Sequence, residues 1–197
     1  MNLTVLGAAG RTGRSLVAQA LERGHSVTAF VRPTPDPFAG VDQVVTGDAR
    51  NADAVRSALQ GADAVVSAMG PAGSEPGTVY SDGIGTVIRT MSEAGPRRLV
   101  ISANSRVLDD RELRGAYAGV SREHRAALAG LRASDLDWTV VCTPLLSDEE
   151  PRGGYASAVG ERSVGSSITR ADFATALIDA LEHPGWVGRV VDVSNPD

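Results

Sequence analysis

The chain contains no lysine: all 19 of its basic residues are arginines. That absence excludes mechanisms built on a lysine amine, including Schiff-base formation, a Walker-type phosphate lysine and a tyrosine–lysine proton-transfer dyad. The plain reading is a genome-wide composition bias rather than selection at these positions, and the exclusion holds whatever its origin. Cysteine is almost missing too. The single Cys142 cannot form an intramolecular disulfide, and no Cys/His cluster has zinc spacing, so a reducing, cytoplasmic setting and no metal are expected. Long apolar runs are absent, and nothing approaches the ~20 residues needed to cross a bilayer. The opening Met1-Asn2-Leu3-Thr4-Val5-Leu6-Gly7 has no basic n-region and breaks at glycine, which predicts a strand and no signal peptide. Excess positive charge is lacking as well: the formal net charge of -5 argues against a nucleic-acid partner.

What is present is a chain of 197 residues, 42% apolar and 22% charged, with 22 glycines. This length suits one domain, with a substrate site made from loops. Short β-branched runs are predicted as strands at Leu3–Leu6, Ser26–Val31, Gln43–Val45, Ala64–Ser67, Arg98–Ser102, Trp138–Cys142 and Val190–Val193. Between them helical spacing predicts helices over Arg11–Arg23, Asp53–Leu59, Tyr80–Ala94, Ser121–Ala133 and Arg170–Glu182. Thr169 is the predicted N-cap of the last, with Asp172 three residues on in a near capping box. Continuous apolar strands alternating with helices predict a doubly wound parallel sheet in a three-layer α/β/α architecture. Ligands of such sheets sit at the carboxyl ends of the strands, where the stretches 70–78, 104–116 and 143–167 follow. The last two are the expected substrate loops.

The sharpest motif is Gly7-Ala8-Ala9-Gly10-Arg11-Thr12-Gly13, placed where the first strand hands over to the first helix. Each glycine has a physical role. Gly7 makes the tight turn, Gly10 lets the backbone approach a pyrophosphate, and Gly13 lets the helix pack closely on the sheet. Unpaired amides at the helix start then supply donors for that anion. At the end of the second strand, where NAD binders carry an acid for the ribose hydroxyls, stands Arg32. A guanidinium suits a 2′-phosphate, so NADP is favoured over NAD, with Arg11, and less so Arg14, as a second contact. Asp36 nearby counts against this. Asp48, in Gly47-Asp48-Ala49, is either an acceptor for the adenine amino group, with Ala49 beside it, or the turn or N-cap aspartate of the next helix. Ala68, Met69 and Gly70 end the fourth strand with backbone that suits close passage to a ribose.

These motifs, together with Val31-Arg32-Pro33, Val100-Ile101-Ser102-Ala103, the stretch Leu131 to Thr139 and Ser167 to Ala174, resemble the atypical short-chain dehydrogenase/reductases. The resemblance is to the small NADP-binding group of the biliverdin reductase B (flavin reductase) and NmrA-like types, and it spans nearly the whole chain. It implies a Rossmann fold and a nicotinamide dinucleotide. It also places Ser102 at the start of an active-site wall, with Asn104 close behind, and His124 where mainstream members carry their lysine. Two readings of His124 stand: a proton donor or ribose contact, or a histidine on the exposed side of its helix. Tyr117 is followed four residues later by Ser121, so the dyad is broken, and Tyr117 is expected to cover the core. Thr143-Pro144-Leu145 matches the group's Arg-Pro-Gly region, which implies a nicotinamide contact at Pro144. Cys142 and Leu145 depart from that pattern.

The resulting expectation is an NADPH-dependent oxidoreductase that passes hydride to a small conjugated acceptor such as a flavin or quinone, working as a monomer or homodimer. Ser102, Asn104 and His124 would orient the acceptor. An NADP-sensing protein without turnover fits the missing dyad equally. A sugar-nucleotide epimerase or dehydratase is disfavoured by the chain length and the missing lysine.

Overall fold

A computed structural model of the chain describes residues 1–33, 40–70, 78–109 and 117–196. The first half runs β1 (Asn2–Leu6), α1 (Arg11–Glu22), β2 (Ser26–Val31), β3 (Gln43–Thr46), α2 (Ala52–Ala58), β4 (Ala64–Ser67) and α3 (Val79–Ala94). The second half runs β5 (Arg98–Asn104), α4 (Ala118–Arg132), β6 (Asp137–Thr143), β7 (Leu146–Ser147), β8 (Ala156–Val159), β9 (Ile168–Thr169), α5 (Arg170–Glu182) and β10 (Arg189–Ser194). Eight strands form one sheet in the order β3-β2-β1-β4-β5-β6-β10-β8.

The apolar runs become strands because both faces of the sheet are covered. All four residues of β4 and four of the five in β1 are buried, which a sheet solvated on one side does not allow. Alternate side chains feed opposite layers. Leu3, Val5, Val66, Val100 and Val141 pack with Leu16 and Val17 of α1 and Phe173 and Leu177 of α5. Leu6, Val65, Ile101 and Val140 pack with Val55 of α2, Ile84 and Val87 of α3, and Leu131 of α4. Each such fully buried side chain stabilises the fold by about 1.5–3 kcal/mol relative to exposure.

One expectation needs correction. The sheet is not wholly parallel: β8 pairs antiparallel with β10, Ala158 opposite Asp192. It arises from within 143–167, so that stretch is not simply a substrate loop. It carries β7, which pairs in parallel with β9, and then an edge strand. Half of β8 faces solvent, with exposure alternating residue by residue, and three small residues with a single valine leave too weak an apolar run to read as a strand.

The topology locates the ligand crevice. β1 lies between β2 and β4 and is parallel to both, so the chain leaves β1 in one direction and returns on its other side. The carboxyl ends of β1 and β4 diverge there, and the loops that follow them cannot close over the gap.

Candidate active site

A cleft of about 780 Å³ opens at that switch point. Its walls come from the glycine loop, the end of β2 with Arg32 and Pro33, the segment 47–50 after β3, the segment 68–70 after β4, and Val79 and Tyr80 at the start of α3.

The glycine loop is built as its spacing requires. Gly7 has φ +74, a left-handed conformation that costs a side chain dearly, and a Cβ there would meet Met69 at 3.0 Å. A Cβ on Gly13 would stand 2.2 Å from the Gly7 carbonyl oxygen, so only glycine lets α1 begin this close to the loop. Gly10 is the extended N-cap of α1, with no side-chain cap and no acidic residue in the first turn.

Of the other helices, α2, α3 and α5 have their starts satisfied by side chains, whereas α4 starts uncapped and away from the cleft. Asn51 caps α2 by accepting from the amides of Asp53 and Ala54, and the Glu123 carboxylate accepts from the Tyr80 and Ser81 amides of α3 at 2.6 and 3.2 Å. Thr169 caps α5. The first turn of α1 is thus left to an external anion, with Gly7, Ala9 and Gly10 on the cleft wall. These residues fit the phosphates of a dinucleotide.

At the far end, Arg32 is exposed, lines the cleft and acts on the Asp48 carboxylate through its charge; Asp36 lies outside the described residues. Asp48 also lines the cleft, but its carboxylate is held by the Arg50 guanidinium at 2.6–3.2 Å and by the Arg50 amide at 2.9 Å. These hydrogen bonds from Arg50, first among the causes, lower its pKa to about 2. Of the sequence readings, Asp48 takes the turn role, its backbone carbonyl accepting from the Asn51 amide, and the N-cap role falls to Asn51. Arg50 itself was not anticipated, although an arginine two residues after a post-strand aspartate is a usable signal for this fork.

Arg11 is engaged elsewhere. Its guanidinium bonds Asp148 at 2.5 Å, Asp148 also takes Arg170 Nε at 2.5 Å, and Arg170 Nη1 reaches the Thr12 hydroxyl at 3.4 Å. This exposed network ties the start of α1 to the start of α5, and Arg11 does not join Arg32 on the cleft wall. Thr12 is buried. Ala49, Ala68, Met69 and Gly70 line the cleft.

Ser102 and His124 are brought together, but behind the wall. The Ser102 hydroxyl donates to the Met69 carbonyl at 2.9 Å, and the Ser102 carbonyl accepts from the Tyr80 phenol at 2.7 Å. His124 is only 6% exposed, which overturns the exposed-helix reading. Its Nδ1 accepts from the Asn104 amide at 3.3 Å, and its ring meets Tyr80 edge-on with centroids 4.7 Å apart. Burial lowers its pKa to about 4, so it is neutral near pH 7, with its proton on Nε2. Tyr80 was missed, because its significance depends on where α3 docks.

The remaining candidates divide. Pro144 follows β6, half-buried, beside an exposed Leu145. Cys142 is buried with its thiol on the Asp192 carboxylate at 3.3 Å, and burial, then the Asp192 charge, pushes its pKa up, which removes it as a nucleophile. Tyr117 is 60% exposed, with the Arg106 guanidinium 5.8 Å from its ring. It does not cover the core as expected. In the stretch 104–116, Ser105–Leu108 form a short 3-10 turn and residues 110–116 lie outside the described ones, as do 71–77. Among the described residues no group of side chains suits a metal ion, and no helix is long and apolar enough to cross a membrane.

Comparison with known proteins agrees with this geometry. A family model described as NAD(P)H-binding matches residues 7–184. An uncharacterized protein of Mycobacterium tuberculosis is 35% identical over 104 residues, 53% of this chain. The matched stretch spans only 12% of that protein. A candidate NAD-dependent epimerase/dehydratase from Bacillus halodurans superposes with a TM-score of 0.86 at 26% identity, covering 100% of this chain and 95% of that one. A candidate NADH-flavin reductase from Streptococcus pneumoniae gives 0.85 at 24% identity, covering 100% of both. An anaerobilin reductase from Escherichia coli gives 0.82 at 24%, covering 100% and 98%. The last two likenesses are likenesses of fold.

Proposed function

The chain belongs to the NAD(P)H-binding family, and on that premise we propose that it is an NADPH-dependent oxidoreductase delivering hydride to a small conjugated acceptor such as a flavin or quinone. When bound, the reduced dinucleotide supplies the hydride. The observation that carries the reading is the α1 start, uncapped and facing a cleft whose other end holds Arg32. The loop amides bind the pyrophosphate, and Arg32 offers its planar fork to a 2′-phosphate. Arg50 already occupies the Asp48 carboxylate, so among the described residues no free acid on the cleft wall favours a bare ribose.

The proton inventory supports this acceptor class. Tyr80 is a poor acid, because burial, with the Glu123 charge second, raises its pKa well above the ordinary value. His124 is neutral. A carbonyl that needs a strong acid in its transition state is therefore poorly served. A conjugated ring that takes hydride and draws its proton from solvent needs only alignment and exclusion of water. Neighbours named for flavin and bilin reduction support this choice.

The test is NADPH oxidation, followed by absorbance, against a panel of flavins, quinones and linear tetrapyrroles. Consumption with one acceptor supports the reductase. The burial of Ser102 and His124 behind Tyr80 and Met69 favours a second reading, an NADP sensor, which predicts tight NADPH binding with no turnover across the panel.

A further inference from the structure

The sequence points to Arg11 as a second guanidinium beside Arg32, and the structure gives Arg11 to Asp148 instead. A different arginine stands on the cleft wall. β2 and β3 pair in parallel with Val31 opposite Thr46, and the Gly47 amide donates to the Val31 carbonyl at 2.8 Å. Arg32 and Asp48 therefore emerge from neighbouring strand ends, which lie roughly 5 Å apart. Arg50 follows two residues later, held by Asp48. Arg32, Asp48 and Arg50 are the charged side chains that line the cleft among the described residues. Two cations and one anion leave this wall net positive, on a chain whose formal net charge is -5.

Arg50 is gripped along one edge. Its Nε and Nη2 donate to the Asp48 carboxylate oxygens at 2.6–3.2 Å, and Nη1 has no partner among the described residues. Asp82 of α3 acts on the guanidinium through its charge and takes its hydrogen bond from the Thr78 hydroxyl at 2.7 Å. The Arg50 and Asp48 side chains are 49% and 44% exposed, so their ion pair adds little to stability. What it does is fix a planar group with donors to spare, the arrangement that suits phosphate oxygens.

We propose that Arg50 is the second guanidinium of the 2′-phosphate site: with Asp48 on one edge, Nη1 donates to the phosphate that Arg32 also holds. A phosphate monoester carries a charge of about −1.5 to −2 near pH 7 and has oxygens for both. The proposal rests on the NADPH reading and deepens it, because discrimination between the two dinucleotides then belongs to a pair of arginines.

The test is calorimetry on the full chain with two probes that differ only in the phosphate concerned, adenosine 2′,5′-bisphosphate and adenosine 5′-monophosphate. The wild type prefers the bisphosphate. Arg50→Ala cuts that preference about tenfold and keeps monophosphate affinity within about twofold, which also reports that the variant is folded. Arg50→Lys recovers little of the loss, because an ammonium cannot hold Asp48 with one edge and the phosphate with another.

Arg50→Ala also strips Asp48 of its counter-ion, and a bare carboxylate repels phosphate by itself. The same substitution in an Asp48→Asn background separates the two effects. A loss of about tenfold persists there if Arg50 touches the phosphate. Its disappearance means that Arg50 only neutralises Asp48, and overturns the proposal. Equal loss for both probes overturns it as well, since Arg50 then acts on the base or the 5′-phosphate, and so does a wild type that binds both probes equally. Failure of the oxidoreductase reading has a different signature: the probe preferences stand as expected, and no acceptor on the panel draws hydride from NADPH.

Discussion

The Tyr80 phenol donates a 2.7 Å hydrogen bond to the backbone carbonyl of Ser102, so the tyrosine on the cleft wall is bound to the main chain of the strand that carries the candidate serine. Its proton is committed to a structural bond and held there by burial. Tyr80→Phe accordingly keeps turnover within about twofold and costs about 1 kcal/mol of stability by denaturant titration. A fall of about 100-fold or more in kcat would instead mark Tyr80 as a proton donor.

His124 makes stability depend on pH. Its folded pKa of about 4 lies below the ordinary value of 6.5, so protonation favours the unfolded chain. The stability is fully present above pH 6.5 and is lost as pH falls from there toward 4, on the order of 3 kcal/mol in all. Denaturant titrations of wild type and His124→Gln between about pH 7 and 4.5 should converge as pH falls, since carboxylate effects are common to both. Parallel curves would show that His124 is not held neutral by burial.

On the proposed function, Arg32 sets the choice of dinucleotide. Arg32→Ala weakens NADPH about tenfold or more while leaving NADH nearly unchanged, and the NADPH preference of the wild type shrinks with added salt because the guanidinium is exposed. Binding isotherms for the two dinucleotides at low and high salt check this. Equal loss for both would remove Arg32 from 2′-phosphate recognition.

Asp172 belongs to the capping motif of α5, but its carboxylate does more than cap. It accepts from the amides of Arg152 and Gly153 at 2.9 and 3.1 Å and from Asn195 Nδ2 and the Thr169 hydroxyl. The Thr169 amide, which a complete capping box would give to residue 172, goes to Asn195 Oδ1. Burial pushes the Asp172 pKa up, yet these bonds together hold it below the usual value. Asp172→Ala strands several buried donors and should cost about 2–4 kcal/mol. Proteolysis should then cut first near 152–153, and unchanged thermal and proteolytic stability would refute the anchoring role.

The strand–helix alternation and the Gly7–Gly13 loop were legible from the residues alone because their physics is local. Burial on both faces demands continuous apolar strands, a φ of +74 demands glycine at position 7, and the contact at Gly13 forbids a Cβ. The place of Arg32 on the cleft wall was legible for the same reason, since the end of β2 is a fixed offset from the loop. Tertiary structure decided what periodicity cannot encode. Arg11 is captured by Asp148, 137 residues later; a short half-exposed strand pairs antiparallel at the sheet edge; and Tyr80, Ser102 and His124 meet only because α3 and α4 dock against the end of β5. Local patterning reports whether a side chain is buried. Which partner it finds there depends on the order in which the strands pair, and that order reverses at the crevice between β1 and β4.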